Sequence, residues 1–121
     1  MGIELLLGKT ITNILVAADK SDMVFTTNDG KKYQMYHERD CCESVEIDDI
    51  CGDLGDLLDS PILLAEEVSN KDDPPRGNDD SHTWTFYKLA TINGSVTIRW
   101  YGESNGYYSE DVTFEEMKSY N

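Results

Sequence analysis

The stretch SHTWTFYKLATINGSVTIRWYGESNGYY, residues 81–108, gathers most of the aromatic side chains of this 121-residue chain. Its two halves, Thr83 to Ile92 and Ser95 to Tyr101, are rich in β-branched and aromatic residues, and Asn93-Gly94 between them is a strong hairpin signal. Counting outward from Asn93 and Gly94 as the two loop residues places Ile92 opposite Ser95, Ala90 opposite Thr97, Lys88 opposite Arg99 and Phe86 opposite Tyr101. One face of this hairpin then carries Tyr87, Leu89, Val96, Ile98 and Trp100 and is expected to be buried. The other carries Trp84, Phe86, Lys88, Arg99 and Tyr101, two opposed cations framed by rings. Like charges directly opposite one another destabilise an antiparallel pair unless something neutralises them, and an anionic ligand would do so.

Upstream, Ile3 to Leu7 and Ile11 to Ala17 are expected to be short strands joined by a turn at Gly8-Lys9. Met23 to Thr27 and Lys31 to His37 form a second hairpin around Asn28-Asp29-Gly30. Val24, Thr26, Tyr33 and Met35 are placed on one face of it, and Phe25, Gln34 and Tyr36 on the other. Ile47, Ile50, Cys51, Leu54, Leu57 and Leu58 recur at helical spacing, with Asp48, Asp49, Asp53, Asp56 and Asp59 opposite. This predicts one amphipathic helix, capped by Asp48 or Asp49, weakened by Gly52 and Gly55, ended by Pro61, and dependent on packing against the sheet. Ile62 to Ser69 reads as a strand. The acidic loop of about 70–81, with Pro74-Pro75, Gly77, Asp72, Asp73, Asn78, Asp79 and Asp80, has nothing to bury and is expected to be flexible. Gly102 to Gly106 is a turn, Tyr107 to Phe114 a last strand and Glu115 to Asn121 a frayed helical turn. The expected architecture over 1–121 is a single α+β domain: a mostly antiparallel sheet of short hairpin strands packed with one amphipathic helix.

Ten basic residues against 24 acidic ones give a formal charge of −14, which argues against direct nucleic-acid binding and against anionic membrane surfaces. It leaves two natural partners: a basic macromolecular surface, or a small anion held where the few cations converge. No apolar run approaches the roughly 20 residues of a membrane span, and the N-terminal MGIELLLGK has no basic leader region, so an intracellular protein is expected. The odd count of three cysteines, Cys41, Cys42 and Cys51, predicts reduced thiols that fill small gaps in the core. His37 with Cys41 and Cys42 offers ligand types without a second pair at zinc spacing, so no metal is expected. The chain has no Walker loop, no Gly-x-Ser-x-Gly and no dinucleotide glycine fingerprint, and His82 beside Asp79 and Asp80 lies in a loop too mobile to preorganise catalysis. A binding protein without cofactor is therefore expected.

For such a protein, Trp84, Phe86 and Tyr101 would stack on a base while Arg99 and Lys88 hold phosphates. Asn105 and Tyr107, in Asn105-Gly106-Tyr107-Tyr108, would add backbone amides and rings, and Arg39 and Arg76 are the next available cations. A plainer reading of the same face is that Lys88 and Arg99 point to solvent and their stems cover the rings.

The combination of YHERDCCESVEIDDICGDL (36–54), SPILLAEE (60–67) and SHTWTFYKLATINGSVTIRWYGESNGYYSEDV (81–112) resembles a family of small phage and prophage proteins, the Thoeris anti-defence sponges. The resemblance spans nearly the whole chain. It implies a phage protein acting in the host bacterial cytoplasm, which sequesters a cyclic ADP-ribose-type immune signal, or cyclic oligonucleotides, without cleaving it. It also implies multimeric assembly and a site of arginine and aromatic residues on a sheet; Arg99, Phe86 and Arg39 are residues of that type here. Because a small open sheet offers little concavity, the pocket is expected where two copies meet. The rival expectation is an acidic inhibitor that mimics nucleic-acid phosphates and blocks a basic groove, as a DNA mimic or anti-CRISPR protein would.

Overall fold

The computed structural model describes residues 2–78 and 80–118. It is built from eight strands: β1 Ile11–Val16, β2 Asp22–Thr27, β3 Lys32–Tyr36, β4 Ser44–Cys51, β5 Leu64–Asn70, β6 Ser81–Thr91, β7 Gly94–Ser104 and β8 Thr113–Glu116. They form two four-stranded antiparallel sheets, in the orders β1-β2-β3-β8 and β4-β7-β6-β5. A single core cluster joins them, with Met23, Phe25, Tyr33, Met35 and Phe114 from the first sheet meeting Ile47, Tyr87, Leu89, Val96, Ile98 and Trp100 from the second. This is a sheet-on-sheet sandwich. No helix among the described residues is long and apolar enough to cross a membrane.

The α+β expectation is corrected: the helical content of the described residues is two 3-10 turns, Ile3–Leu6 and Leu54–Leu57. The first replaces an expected strand, and the second is all that forms of the expected amphipathic helix. Its N-terminal half is instead β4, and the helix-like spacing of Ile47 and Ile50 comes from a bulge. Ile47 pairs with Trp100 and Asp49 with Arg99, so Asp48 is the extra residue and the strand's alternation slips there. Gly52 then stops the strand with φ +111°, and a Cβ on it would lie 2.7 Å from the Ser95 carbonyl. Asp53 caps the short turn that follows by accepting from the Gly55 amide at 2.8 Å.

The β6–β7 hairpin forms with a register two residues away from the expected one. Ala90, not Ile92, faces Ser95, and Ile92-Asn93 are the loop residues. A slip of two preserves the faces, so Tyr87, Leu89, Val96, Ile98 and Trp100 are all buried as expected. The β2–β3 hairpin shows the opposite case. Its connection is the three residues Asn28-Asp29-Gly30, closed by the Thr27 amide on the Lys31 carbonyl at 2.9 Å. That odd count puts Met23 and Phe25 on the buried face with Tyr33 and Met35, correcting the expected grouping of Val24 and Thr26 with Tyr33 and Met35.

The last strand begins later than expected, at Thr113, and β7 runs on to Ser104. Of the expected terminal helical turn, Glu115 and Glu116 belong to β8, and residues 119–121 lie outside the described residues. Cys41 and Cys42 are joined to each other, which corrects the expectation of reduced thiols for that pair; Cys51 is free, and all three are exposed and not core fillers.

Candidate functional site

The outward face of the second sheet holds the aromatic and cationic residues of the central hairpin. Trp84, Phe86 and Lys88 on β6 and Arg99 and Tyr101 on β7 share it, and Trp84 lies directly opposite Tyr101 with ring centroids 4.5 Å apart. The expected opposition of two cations is absent. Arg99 faces Phe86 on one side and Asp49 on the other, whereas Lys88 lies between Thr97 and Glu66.

The charge of Arg99 is met from within the chain. Its Nε donates to Asp48 Oδ2 at 2.8 Å and its Nη2 lies 2.7 Å from the same oxygen, while Asp49 Oδ2 lies 3.8 Å from Nη2. Asp48 is the bulge residue, next to Asp49, which lies opposite Arg99. The guanidinium also covers the Trp84 ring, with Cζ 5.4 Å from its centroid.

A second arginine completes the arrangement. Residues 74–77 of the acidic loop lie across the aromatic face, so the loop does make contacts there. Arg76 Nη1 donates to Asp48 Oδ1 at 2.9 Å, its Nη2 donates to Glu46 Oε1 at 2.7 Å, and its Cζ stands 4.6 Å from the Tyr101 ring centroid. Partial burial works against the charge on Arg76, but its bonds to Glu46 and Asp48 outweigh that cost and hold its pKa above the ordinary value. The Tyr101 hydroxyl accepts from the Arg76 amide at 2.9 Å and donates to Glu103 Oε2 at 3.1 Å. Trp84 Nε1 donates to the Pro74 carbonyl at 3.1 Å, and His82 Nε2 to the Asp73 carbonyl at 2.7 Å.

The other expected site residues lie elsewhere. Asn105 and Tyr107 form a bend after β7 in which the Tyr107 amide bonds Asn105 Oδ1 at 2.9 Å, and the Tyr107 ring is exposed beside Tyr108. Arg39 bonds the Cys41 carbonyl at 3.1 Å and lines a cleft of about 240 Å³ with Asp19, His37, Glu43 and Glu46, the last of which also holds Arg76. The missed residues are Glu46, which lies opposite Tyr101 ahead of the bulge, and Asp48, the bulge residue; both meet this face through the pairing of β4 with β7, which local spacing does not encode.

Beside that cleft, Glu43 is buried and accepts from the amides of Asp40 at 2.8 Å and Cys41 at 2.9 Å and from His37 Nε2 at 2.8 Å. His37 Nδ1 meets the Asp111 carbonyl at 2.6 Å, so both ring nitrogens face acceptor oxygens. The Asp40 amide above all, then the Cys41 amide and His37, hold the Glu43 carboxyl down at about 2. A depressed carboxylate contributes stability that is present above its unfolded value and lost as pH falls through the folded one. The wild-type urea midpoint should therefore fall as pH drops from about 4.5 toward about 2. Glu43→Gln should flatten that part of the profile, and an equal slope in both proteins would show that Glu43 does not carry it.

Fold and site together define a small antiparallel β-sandwich with an arginine, carboxylate and aromatic network on one outward face. A family model described as Domain of unknown function (DUF7448) matches residues 4–114, and the chain belongs to that family. No curated protein and no solved structure matches the chain.

Proposed function

We propose that this protein works by binding, docking its acidic surface onto the basic surface of a partner protein and occupying a site that would otherwise take nucleic-acid phosphates. The observation that carries this is the fate of the cations on the aromatic face. Arg76 and Arg99 are both committed to carboxylates of β4, and Lys88 sits across from Glu66. A phosphate arriving there must compete with carboxylates already in place; a cation must compete with the two arginines but is also drawn by a chain of charge −14. The test is displacement of labelled duplex DNA from a panel of basic DNA-binding domains, including nucleases, at rising salt. Displacement that weakens steeply with salt is expected. Indifference of every member of the panel at low salt would overturn the proposal.

One observation favours the second reading, sequestration of a cyclic nucleotide signal in a phage anti-defence role. Arg99 stacked on Trp84, with Phe86 opposite it, joins a guanidinium to stacking surfaces, and a second copy would supply the missing wall. A thermal-shift screen against cyclic ADP-ribose isomers and cyclic di- and trinucleotides tests it. A ligand at 100 times its dissociation constant stabilises by roughly 2.7 kcal/mol. Arg99→Ala should abolish any shift, and a shift that survives the substitution places the ligand elsewhere.

A further inference from the structure

Tyr101 is fully buried although it points outward from the second sheet, where Trp84, Phe86 and Arg99 are only half-buried. Its cover is the Trp84 ring, 4.5 Å away between centroids, together with the guanidinium and backbone of Arg76. That guanidinium is flanked by the Tyr101 ring, 4.6 Å from Cζ, and by Glu46 and Asp48, at 2.7 and 2.9 Å, with its remaining side open to solvent. Ring and carboxylates all belong to paired strands, β7 and β4, so the enclosure is a feature of the sheet and only its occupant comes from the loop.

We propose that this enclosure is a guanidinium-binding seat, and that an arginine of a basic partner enters it by displacing Arg76. The inference rests on the acidic-docking reading and names the side chain that the surface recognises. An arginine supplied by a partner makes the same stack and the same two divergent hydrogen bonds. A lysine does not, because its single ammonium cannot lie flat on the ring while reaching both carboxylates.

The occupant is held lightly enough to exchange. Residues 73–76, Pro74 and Pro75 among them, are exposed. Besides the guanidinium contacts, the segment is held by the Arg76 amide on the Tyr101 hydroxyl at 2.9 Å, Pro74 on Trp84, Asp73 on His82, the Asn70–Asp73 pair and a long contact from the Gly77 amide to the same hydroxyl. Arg76 is thus an internal competitor, present at the high effective concentration of a tethered group. A partner arginine binds with its affinity reduced by the fraction of time the seat stands open.

Arg76→Ala removes that competition. The protein is titrated with a short Arg-Gly repeat peptide and with its Lys-Gly counterpart, followed by calorimetry and by Trp84 fluorescence. Arg76→Ala should bind the arginine peptide roughly tenfold more tightly than wild type if the seat is open about a tenth of the time. Lys31→Ala, which removes one positive charge far from the seat, should gain no more than about twofold. Adding Glu46→Gln to Arg76→Ala should cancel the gain, and near-UV circular dichroism checks that each variant is folded. Should Arg76→Ala bind no more tightly than Lys31→Ala, or should both peptides gain equally, the seat is not the recognition point while acidic docking stands. Absence of binding to either peptide by any variant at low salt overturns both.

Discussion

Trp100→Ala is expected to destabilise the protein by about 3–5 kcal/mol, the range for truncating a large aromatic in a packed core. Trp100 is fully buried at the centre of the second sheet, paired with Thr85 of β6 and Ile47 of β4. It also crosses the sandwich, since its Nε1 donates to Met35 Sδ of β3 at 3.1 Å. The alanine variant therefore leaves a cavity bordered by both sheets, which neither can close without moving away from its own strand partners. Against a total of roughly 5–15 kcal/mol for a domain, such a loss is a large fraction. Urea unfolding followed by far-UV circular dichroism measures it, with Trp84 retained as a fluorescent reporter. Trp100→Phe, which keeps a ring but no N–H for Met35, should cost markedly less. A loss under about 1 kcal/mol for Trp100→Ala would mean that the two sheets are not held together there.

The buried side of the central hairpin was legible because its faces depend only on parity. An error of two residues in the turn leaves Trp100, Tyr87 and Ile98 pointing inward. The β2–β3 faces were not legible, because whether Asn28-Asp29-Gly30 supplies two loop residues or three decides the parity, and the three residue types allow either. The expected helix failed for a related reason. A bulge at Asp48 mimics helical spacing between Ile47 and Ile50, and a bulge is specified by pairing with β7, some fifty residues away in sequence. The candidate site divides the same way. Trp84, Phe86, Arg99 and Tyr101 share a face by alternation alone, whereas Asp48 and Glu46, which neutralise the arginines, reach it only through tertiary pairing. Reading the cations without their carboxylates left them unneutralised; the structure pairs Arg76 and Arg99 with Glu46 and Asp48.

Glu110→Ala is expected to cost about 2–4 kcal/mol, because it removes the charged acceptor of two hydroxyl groups and leaves Ser104 only a longer bond to the Tyr108 carbonyl at 3.3 Å. Glu110 closes one end of the sandwich. Its Oε1 accepts from Thr83 Oγ1 at 2.7 Å and its Oε2 from Ser104 Oγ at 2.6 Å. Lys71 Nζ bonds Thr83 Oγ1 at 2.8 Å and lies 3.5 Å from Glu110 Oε1. The backbone at Glu110 is pressed against the sheet, for a Cβ on Gly102 would come within 2.9 Å of its carbonyl oxygen. Burial by itself would raise this carboxyl, but the hydrogen bonds from Ser104, Thr83 and Ser81 and the charge of Lys71 overcome it and leave the pKa below the ordinary value. The sign follows: the carboxylate contributes stability at pH values above its unfolded value, and that contribution is lost as pH falls through the lower folded one. Glu110→Gln keeps the volume and one carbonyl acceptor, so it should recover part of the loss at neutral pH and show a weaker acid dependence than wild type. The effect should reach the binding face as well. Lys71 opens the loop that carries Arg76, and Ser104, which receives the Gly106 amide at 3.0 Å, orders the bend holding Asn105 and Tyr107. Chemical denaturation of the alanine and glutamine variants at neutral and acid pH measures both arms. A Glu110→Ala midpoint within about 0.5 kcal/mol of wild type would show that the end of the sandwich is closed by packing alone.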